Sequence, residues 1–227
     1  MPANPTERII RVLAPLPREF YNRDPREVSP ELLGKILVRR AGRELIAARI
    51  VEVEAYLGKN DPAAHSAVGC TPRNAVMFGP PGFAYVYFIY GNHYCLNVSC
   101  QPEGTAGAIL FRAAEPLLGV DAMGKARGVA IDAPRSLRHL TSGPGRLAEA
   151  LGITRSRDNG KDFTDRKSDL FIVDDGHGAP PVMTTPRIGI TKAADLPLRY
   201  LIAGNPFVSG ATRLKPANSR YNEIVGE

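Results

Sequence analysis

No apolar run in this chain approaches the ~18 residues that a helix needs to cross a membrane. Residues 1–16 hold only short apolar stretches, broken by Arg8, Arg11 and Pro15, and are too charged for a secretory leader. Cysteine is scarce: Cys70, Cys95 and Cys100 make an odd set that excludes a disulfide framework and points to a reducing compartment. There is no internal repeat, no low-complexity tract and no interdomain linker. The glycine-rich turn at 142–145 is not followed by G-K-[ST], which excludes a Walker loop. His93, Cys95 and Cys100 have the spacing H-x-C-x₄-C, which matches no usual zinc pattern, and the deaminase pairing of H-x-E with P-C-x-x-C is missing. These absences lead to the expectation of a cytoplasmic globular protein with no metal and no cofactor.

What remains is compatible with one sizeable core. The chain has 227 residues, 44% of them apolar. Its 20 prolines and 22 glycines favour many turns and short elements over a helical bundle. Basic side chains outnumber acidic ones 29 to 23, a net charge of +6. That suits a polyanionic partner such as nucleic acid, although many enzymes without one are as basic.

Along the chain, Ser29-Pro30 reads as a helix start, with Ser29 as N-cap and Pro30 at the first helical position. That helix would run through Leu32, Leu33, Ile36 and Leu37. Residues 45–56, LIAARIVEVEAY, read as a strand. Residues 57–82 read as a long loop, a length that in a compact domain usually means function. Two β-rich runs within 83–100 flank Gly91-Asn92, a hairpin signal. A third strand is predicted at 106–113, a basic excursion at 119–141, and a short helix from the turn at 141–145. TPRIGI (185–190) and LRYLIAG (198–204) read as late strands. The pattern predicts a single mixed α+β domain around a curved, largely antiparallel sheet with a protruding β-hairpin.

Several residues could carry chemistry. Glu52, Glu54 and Tyr56 lie at i, i+2 and i+4 near a strand end, so alternation puts them on one face. A carboxylate there is well placed as a general base; both could equally face solvent or pair with Arg39, Arg40 or Arg49. His65 lies in the long loop, as does Arg73. Tyr85, Tyr87, Tyr90 and Tyr94 suit either strand packing or contact with a base. Tyr90 stands at the hairpin tip, where wedge residues that unstack a base step are found. Arg146 opens a helix after Ser142-Gly143-Pro144-Gly145, a place for either an anion or simple capping by Ser142.

The runs RIVEVEAYLG (49–58), AAHS (63–66), TPRN (71–74), PGFAYVYFIYG (81–91), CLNVS (95–99), ILFRAAEP (109–116) and SGPGRL (142–147) occur in one collinear order. Together they resemble the alkyladenine, or methylpurine, DNA glycosylase family. The resemblance implies a single mixed α/β domain without a metal. It implies a monofunctional enzyme of base excision repair that flips an alkylated or deaminated purine (3-methyladenine, 7-methylguanine, hypoxanthine or ethenoadenine) and hydrolyses its N-glycosidic bond with an activated water. Glu54 then matches the general base and Arg112 the arginine beside it. Tyr56, His65 and Tyr87 match the walls around the flipped base. Asn97 matches the side chain that excludes the amino group of normal guanine, and Tyr90 the wedge. Gly91, Asn92, His93, Arg73 and Arg146 complete the expected DNA contacts. Asn92 and His93 depart from the family, whose better-known members carry hydrophobic or aromatic residues after the tip glycine.

Residues 1–28 are expected as an N-terminal arm and 29–227 as the glycosylase domain. The expected partner is double-stranded DNA with a damaged purine, bound by a monomer that is nucleoid-associated if bacterial. Two other readings remain at this stage. Pro2, once Met1 is removed, would offer a secondary amine for a Schiff base, although Ala3 follows it rather than glutamate. A non-catalytic nucleic-acid binder could use the same tyrosines, but needs neither Glu54 nor Arg112. A strict two-residue turn at Gly91-Asn92 would also place Tyr87 and Asn97 on opposite faces, so a bulge or a wider turn is expected.

Overall fold

The computed structural model describes residues 5–42, 44–89, 91 and 93–210. The chain opens with helices α1 (Pro5–Val12), α2 (Arg18–Tyr21) and α3 (Pro25–Leu32), then strands β1 (Ile36–Ala41) and β2 (Glu44–Tyr56). A long excursion leads to β3 (Ala84–Ile89), β4 (His93–Cys100) and β5 (Gly107–Leu118). Helices α4 (Val120–Arg127), α5 (Pro134–Thr141), α6 (Pro144–Ala150) and α7 (Arg155–Asp158) follow, then β6 (Leu170–Val173), β7 (Val182–Thr185) and β8 (Arg199–Ile202).

The fold is mixed α+β, and every pairing among the described strands is antiparallel: one open sheet runs in the order β3-β4-β5-β2-β1-β6, with β8 added on β2 and β7 on β8. β2 is long enough to hold two neighbours on one edge: β1 beside its first half and β8 beside Glu52, Val53 and Glu54. One sheet face buries Ala48, Ile50, Val86, Leu96, Val98, Ile109 and Phe111 against Val28 and Leu32 of α3, Met123 of α4, Leu140 of α5 and Leu147 of α6. At the β1–β6 end a smaller cluster packs Ile10 of α1 on Val38, Ala47 and Phe171.

The predicted helix start is corrected. Asp24 caps α3, its carboxylate accepting from the Arg26 N–H at 2.8 Å, and Pro25 takes the first turn. Asp24-Pro25 is thus the capping pair, and Ser29-Pro30 falls inside the helix. Gly34, at φ +87°, turns the chain out of the helix, so that Ile36 and Leu37 enter β1 instead. TPRIGI is likewise not a strand beyond Thr185, because β7 ends there, while the four apolar residues of β6 form a strand that the sequence reading passed over. The excursion at 119–141 is helical, as α4 and α5. Ser142 does not cap α6; its hydroxyl donates to the Val208 carbonyl.

One irregularity decides where the carboxylates go. Ile46, Ala48 and Ile50 of β2 face the main core, and strict alternation would send Glu52 and Glu54 to that same face. The register with β5 breaks here. Ile50 opposes Ala114, Glu52 opposes Ala113 and Val53 opposes Phe111, so Val51 and Arg112 fall out of the pairing. Such bulges re-aim side chains. Val53 takes the core face, and Glu52, Glu54 and Tyr56 turn to the other side of the sheet with Arg112.

Candidate active site

The hairpin joins β3 to β4 with Ile89 opposite His93, so three positions separate the paired strand ends. This is the wider turn that the face argument required. Tyr87 now opposes Cys95 and Tyr85 opposes Asn97, so Tyr85, Tyr87, Cys95 and Asn97 share the face opposite the main core. Tyr85 and Tyr87 have ring centroids 5.6 Å apart. Asn97 is buried, its side-chain N–H₂ donating to the Tyr85 carbonyl at 3.0 Å.

The long excursion packs onto this face. Gly58 permits its entry: at φ +81°, a Cβ there would lie 1.9 Å from the Ala106 carbonyl oxygen. Two buried polar residues organise the rest. Asp61 accepts from the backbone N–H groups of Leu57 and Ala63. Asn74 donates to the carbonyls of His65 and Gly69 and accepts from the Thr71 N–H. Met77 then packs on Tyr85. His65 is thereby held at the exposed rim, its Nδ1 hydrogen-bonded to the Tyr85 hydroxyl at 3.0 Å and its ring edge-on to Tyr87 at 4.5 Å. Crowding by these neighbours, and then the Arg73 charge, hold its pKa below the ordinary histidine value.

Beside this aromatic wall lies the carboxylate. Glu54 is fully buried. Its Oε2 accepts from the Tyr56 hydroxyl at 3.0 Å, and its Oε1 accepts from the Ile188 N–H at 2.8 Å and faces Arg112 Nη1 at 3.2 Å. Burial, and then the Glu54 charge, push the Tyr56 phenol far above its ordinary pKa, so Tyr56 stays a neutral donor. Burial, and then Cys95, push Tyr87 up in the same direction. Burial works against the charge of Arg112, but Glu54 and Glu52 outweigh it and hold its pKa above the ordinary value.

Glu52 is equally buried but differently engaged. Its Oε1 accepts from Arg112 Nε at 2.9 Å, Arg199 Nε at 2.7 Å and the Ser209 hydroxyl at 2.9 Å. Its Oε2 accepts from the Ser209 N–H at 2.5 Å. None of Arg39, Arg40 and Arg49 is the partner of these glutamates: Arg39 pairs with Asp158 and Asp169, Arg49 with Asp175, and Arg40 lies over the Phe171 ring. Glu52 thus accepts four bonds, which fills the roughly four lone-pair sites of a carboxylate, whereas Glu54 makes three contacts among the described residues, one of them on Oε2.

The structure thus brings together Glu54, Arg112, Tyr56, Tyr87, His65 and Asn97. Arg73 is exposed beside them, close enough for its charge to act on Tyr85 and His65. His93 lies at the hairpin base, where a Cβ on Gly145 would come within 3.0 Å of its ring. Gly91 is exposed at the hairpin tip. Arg146 is exposed on α6 and lines a cleft of about 430 Å³ with Arg127, Arg135 and His139. Tyr90, Asn92 and Pro2 lie outside the described residues. Cys95 faces the aromatic wall while Cys100 is in the main core, so these two and His93 do not converge. Three residues escaped the sequence reading: Asp61, Arg187 and Ile188. Arg187 and Ile188 were hidden in a segment misread as strand, and Asp61 pairs with Arg187 from 126 positions away.

The family model described as methylpurine-DNA glycosylase matches residues 19–206. A relative from Koribacter versatilis (strain Ellin345), provisionally named a 3-methyladenine DNA glycosylase, is 69% identical over 198 residues, covering 87% of this chain and 94% of its own. One from Burkholderia cenocepacia (strain HI2424), with the same name, is 50% identical over 198 residues, 86% of this chain and 91% of its own. One from Rhodopseudomonas palustris (strain HaA2) is 51% identical over 195 residues, 86% and 90%. A family match that spans the sheet, the aromatic wall and the Glu54–Arg112 pair leaves one assignment: the chain belongs to the methylpurine-DNA glycosylase family.

Proposed function

We propose that this protein flips an alkylated or deaminated purine out of duplex DNA into the space bounded by Tyr56, Tyr87, His65 and Asn97. It then cleaves the N-glycosidic bond with water activated by Glu54. The enzyme is a DNA glycosylase, a hydrolase of N-glycosyl bonds. The observation that carries the finer reading is the contact at 3.2 Å between Glu54 and Arg112 beside the aromatic wall.

The chemistry follows from the groups present. Water cannot reach a glycosidic bond inside a duplex, so the nucleotide must be extruded. Departure of the base builds positive charge on the sugar, which a nearby carboxylate stabilises while it takes a proton from water. Arg112 holds the Oε1 side of Glu54. The second lone pair of Oε2 is the place for that water. Tyr56 and Tyr87 supply flat, neutral walls for stacking, and His65 a hydrogen-bonding edge at the rim. Asn97, locked by its bond to the Tyr85 carbonyl, excludes the amino group of normal guanine. Cationic alkylpurines leave with little help; neutral lesions such as hypoxanthine depend more on these contacts. No step requires a covalent bond to the enzyme.

The same reading places the DNA along the hairpin tip, with Tyr90 as the wedge and Gly91, Asn92 and His93 beside it. Arg73 and the basic cleft at Arg146 receive backbone phosphates. It describes a monomer acting on double-stranded DNA. Among the described residues no helix is long and apolar enough to cross a membrane.

The test is Glu54→Gln on duplexes that each carry one modified purine, read by strand cleavage at the abasic site. Base release is expected to fall by about 10² or more while duplex binding is largely retained. Unchanged release would remove Glu54 from the chemistry.

A further inference from the structure

Arg187 has a fully buried side chain, an expensive position for a guanidinium unless it is paired. It forms a fork with Asp61, Nη1 to Oδ2 at 2.5 Å and Nη2 to Oδ1 at 2.8 Å. Nη1 also donates to the Ala55 carbonyl, next to Glu54 and Tyr56 in β2. Its carbon centre lies 4.6 Å from the centroid of the Tyr56 ring. Nε is buried with no hydrogen-bond partner among the described residues. The next residue, Ile188, donates its N–H to Glu54 Oε1.

Three parts of the pocket therefore meet at one side chain. The first is the Tyr56 wall, whose ring is held from one side by the cation and whose hydroxyl donates to Glu54. The second is the 57–65 turn, because Asp61 also accepts the Leu57 and Ala63 N–H groups and that turn leads to His65. The third is the Ile188 N–H, which donates to Glu54 from the residue directly after the arginine. None of these contacts requires Arg187 to touch the base or the water.

We propose that Arg187, paired with Asp61, is a positioning residue of the base pocket: it sets the Tyr56 ring, the His65 turn and the Ile188 N–H at once, and through them the geometry of Glu54. The proposal rests on the reading of Glu54 as the base that activates water. A displacement near 1 Å in such a geometry costs catalysis far more than it costs binding.

The experiment compares Arg187→Gln, Arg187→Lys and Glu54→Gln in the full chain. It measures single-turnover release of hypoxanthine from a duplex, duplex binding and thermal melting. For Arg187→Gln, release is expected to slow by about 10²-fold while binding changes by no more than about threefold. Arg187→Lys, which keeps a cation near the Tyr56 ring but not the fork, is expected to recover part of the rate. A folded Arg187→Gln protein with the parent rate, alongside an inactive Glu54→Gln, overturns the positioning role and leaves the Glu54 reading intact. Full activity of Glu54→Gln overturns the underlying reading instead. If release and binding fall together in proportion to melting, or if neither Arg187 variant folds while Glu54→Gln does, Arg187 serves stability alone and the proposal fails.

Discussion

Arg112 Nε donates to Glu52 Oε1 at 2.9 Å, and this bond separates the tasks of two carboxylates that look equivalent in sequence. Glu52 anchors the arginine from one side, and Arg112 Nη1 then meets Glu54 from the other. Arg199 and Ser209 complete the shell around Glu52.

The two glutamates should therefore fail differently. Glu52→Gln leaves buried Arg199 without a carboxylate and Arg112 with Glu54 alone, and sets an amide N–H₂ among donors. Removing one partner of a buried pair costs about 3–5 kcal/mol. For a chain of this size that corresponds to a drop of roughly 6–20 °C in melting temperature. Glu54→Gln leaves Arg112 paired with Glu52 and should melt markedly closer to the parent. Equal melting temperatures, measured by calorimetry at one pH, would contradict this division.

The titration of His65 follows from its place at the rim. Crowding and the Arg73 charge both favour the neutral ring, so it should titrate below 6.5 and be neutral at pH 7. Replacing Arg73 by Ala removes the charge but not the crowding, so the midpoint should rise while staying depressed. A histidine-ring NMR titration of both proteins reads this directly; a midpoint above 6.5 in the parent, or a fall in the variant, would sink it.

Arg146 offers a test of the basic cleft that does not involve the pocket. Arg146→Ala should weaken binding equally for different lesions and reduce the slope of log K against log salt by about 1. Base release from saturated duplex should be unchanged. A salt slope equal to that of the parent would take Arg146 off the DNA backbone.

Much of this architecture was legible in residue order because it is local. The apolar run at 45–56 is a strand, the two β-rich runs around Gly91 form a hairpin, and the excursion at 57–82 brings His65 to Tyr85. The start of α3 was misplaced because Asp24-Pro25 and Ser29-Pro30 are both plausible capping pairs five residues apart. Only the turn at Gly34 and the pairing of Ile36 with Arg49 show which one is used.

By itself the sequence determined the candidate groups and most of their carriers: a strand-end glutamate pair, a tyrosine-rich hairpin, an arginine on a neighbouring strand, and the motifs that mark the family. Tertiary structure alone decided which glutamate keeps a free lone pair. Strand alternation has a period of two, and the unpaired Val51 of β2, offset by the unpaired Arg112 of β5, reverses it for Glu52, Glu54 and Tyr56. It also decided that Arg187 lies over the Tyr56 ring. The partner that makes Arg187 meaningful, Asp61, lies 126 positions away, and only folding sets them 2.5 Å apart.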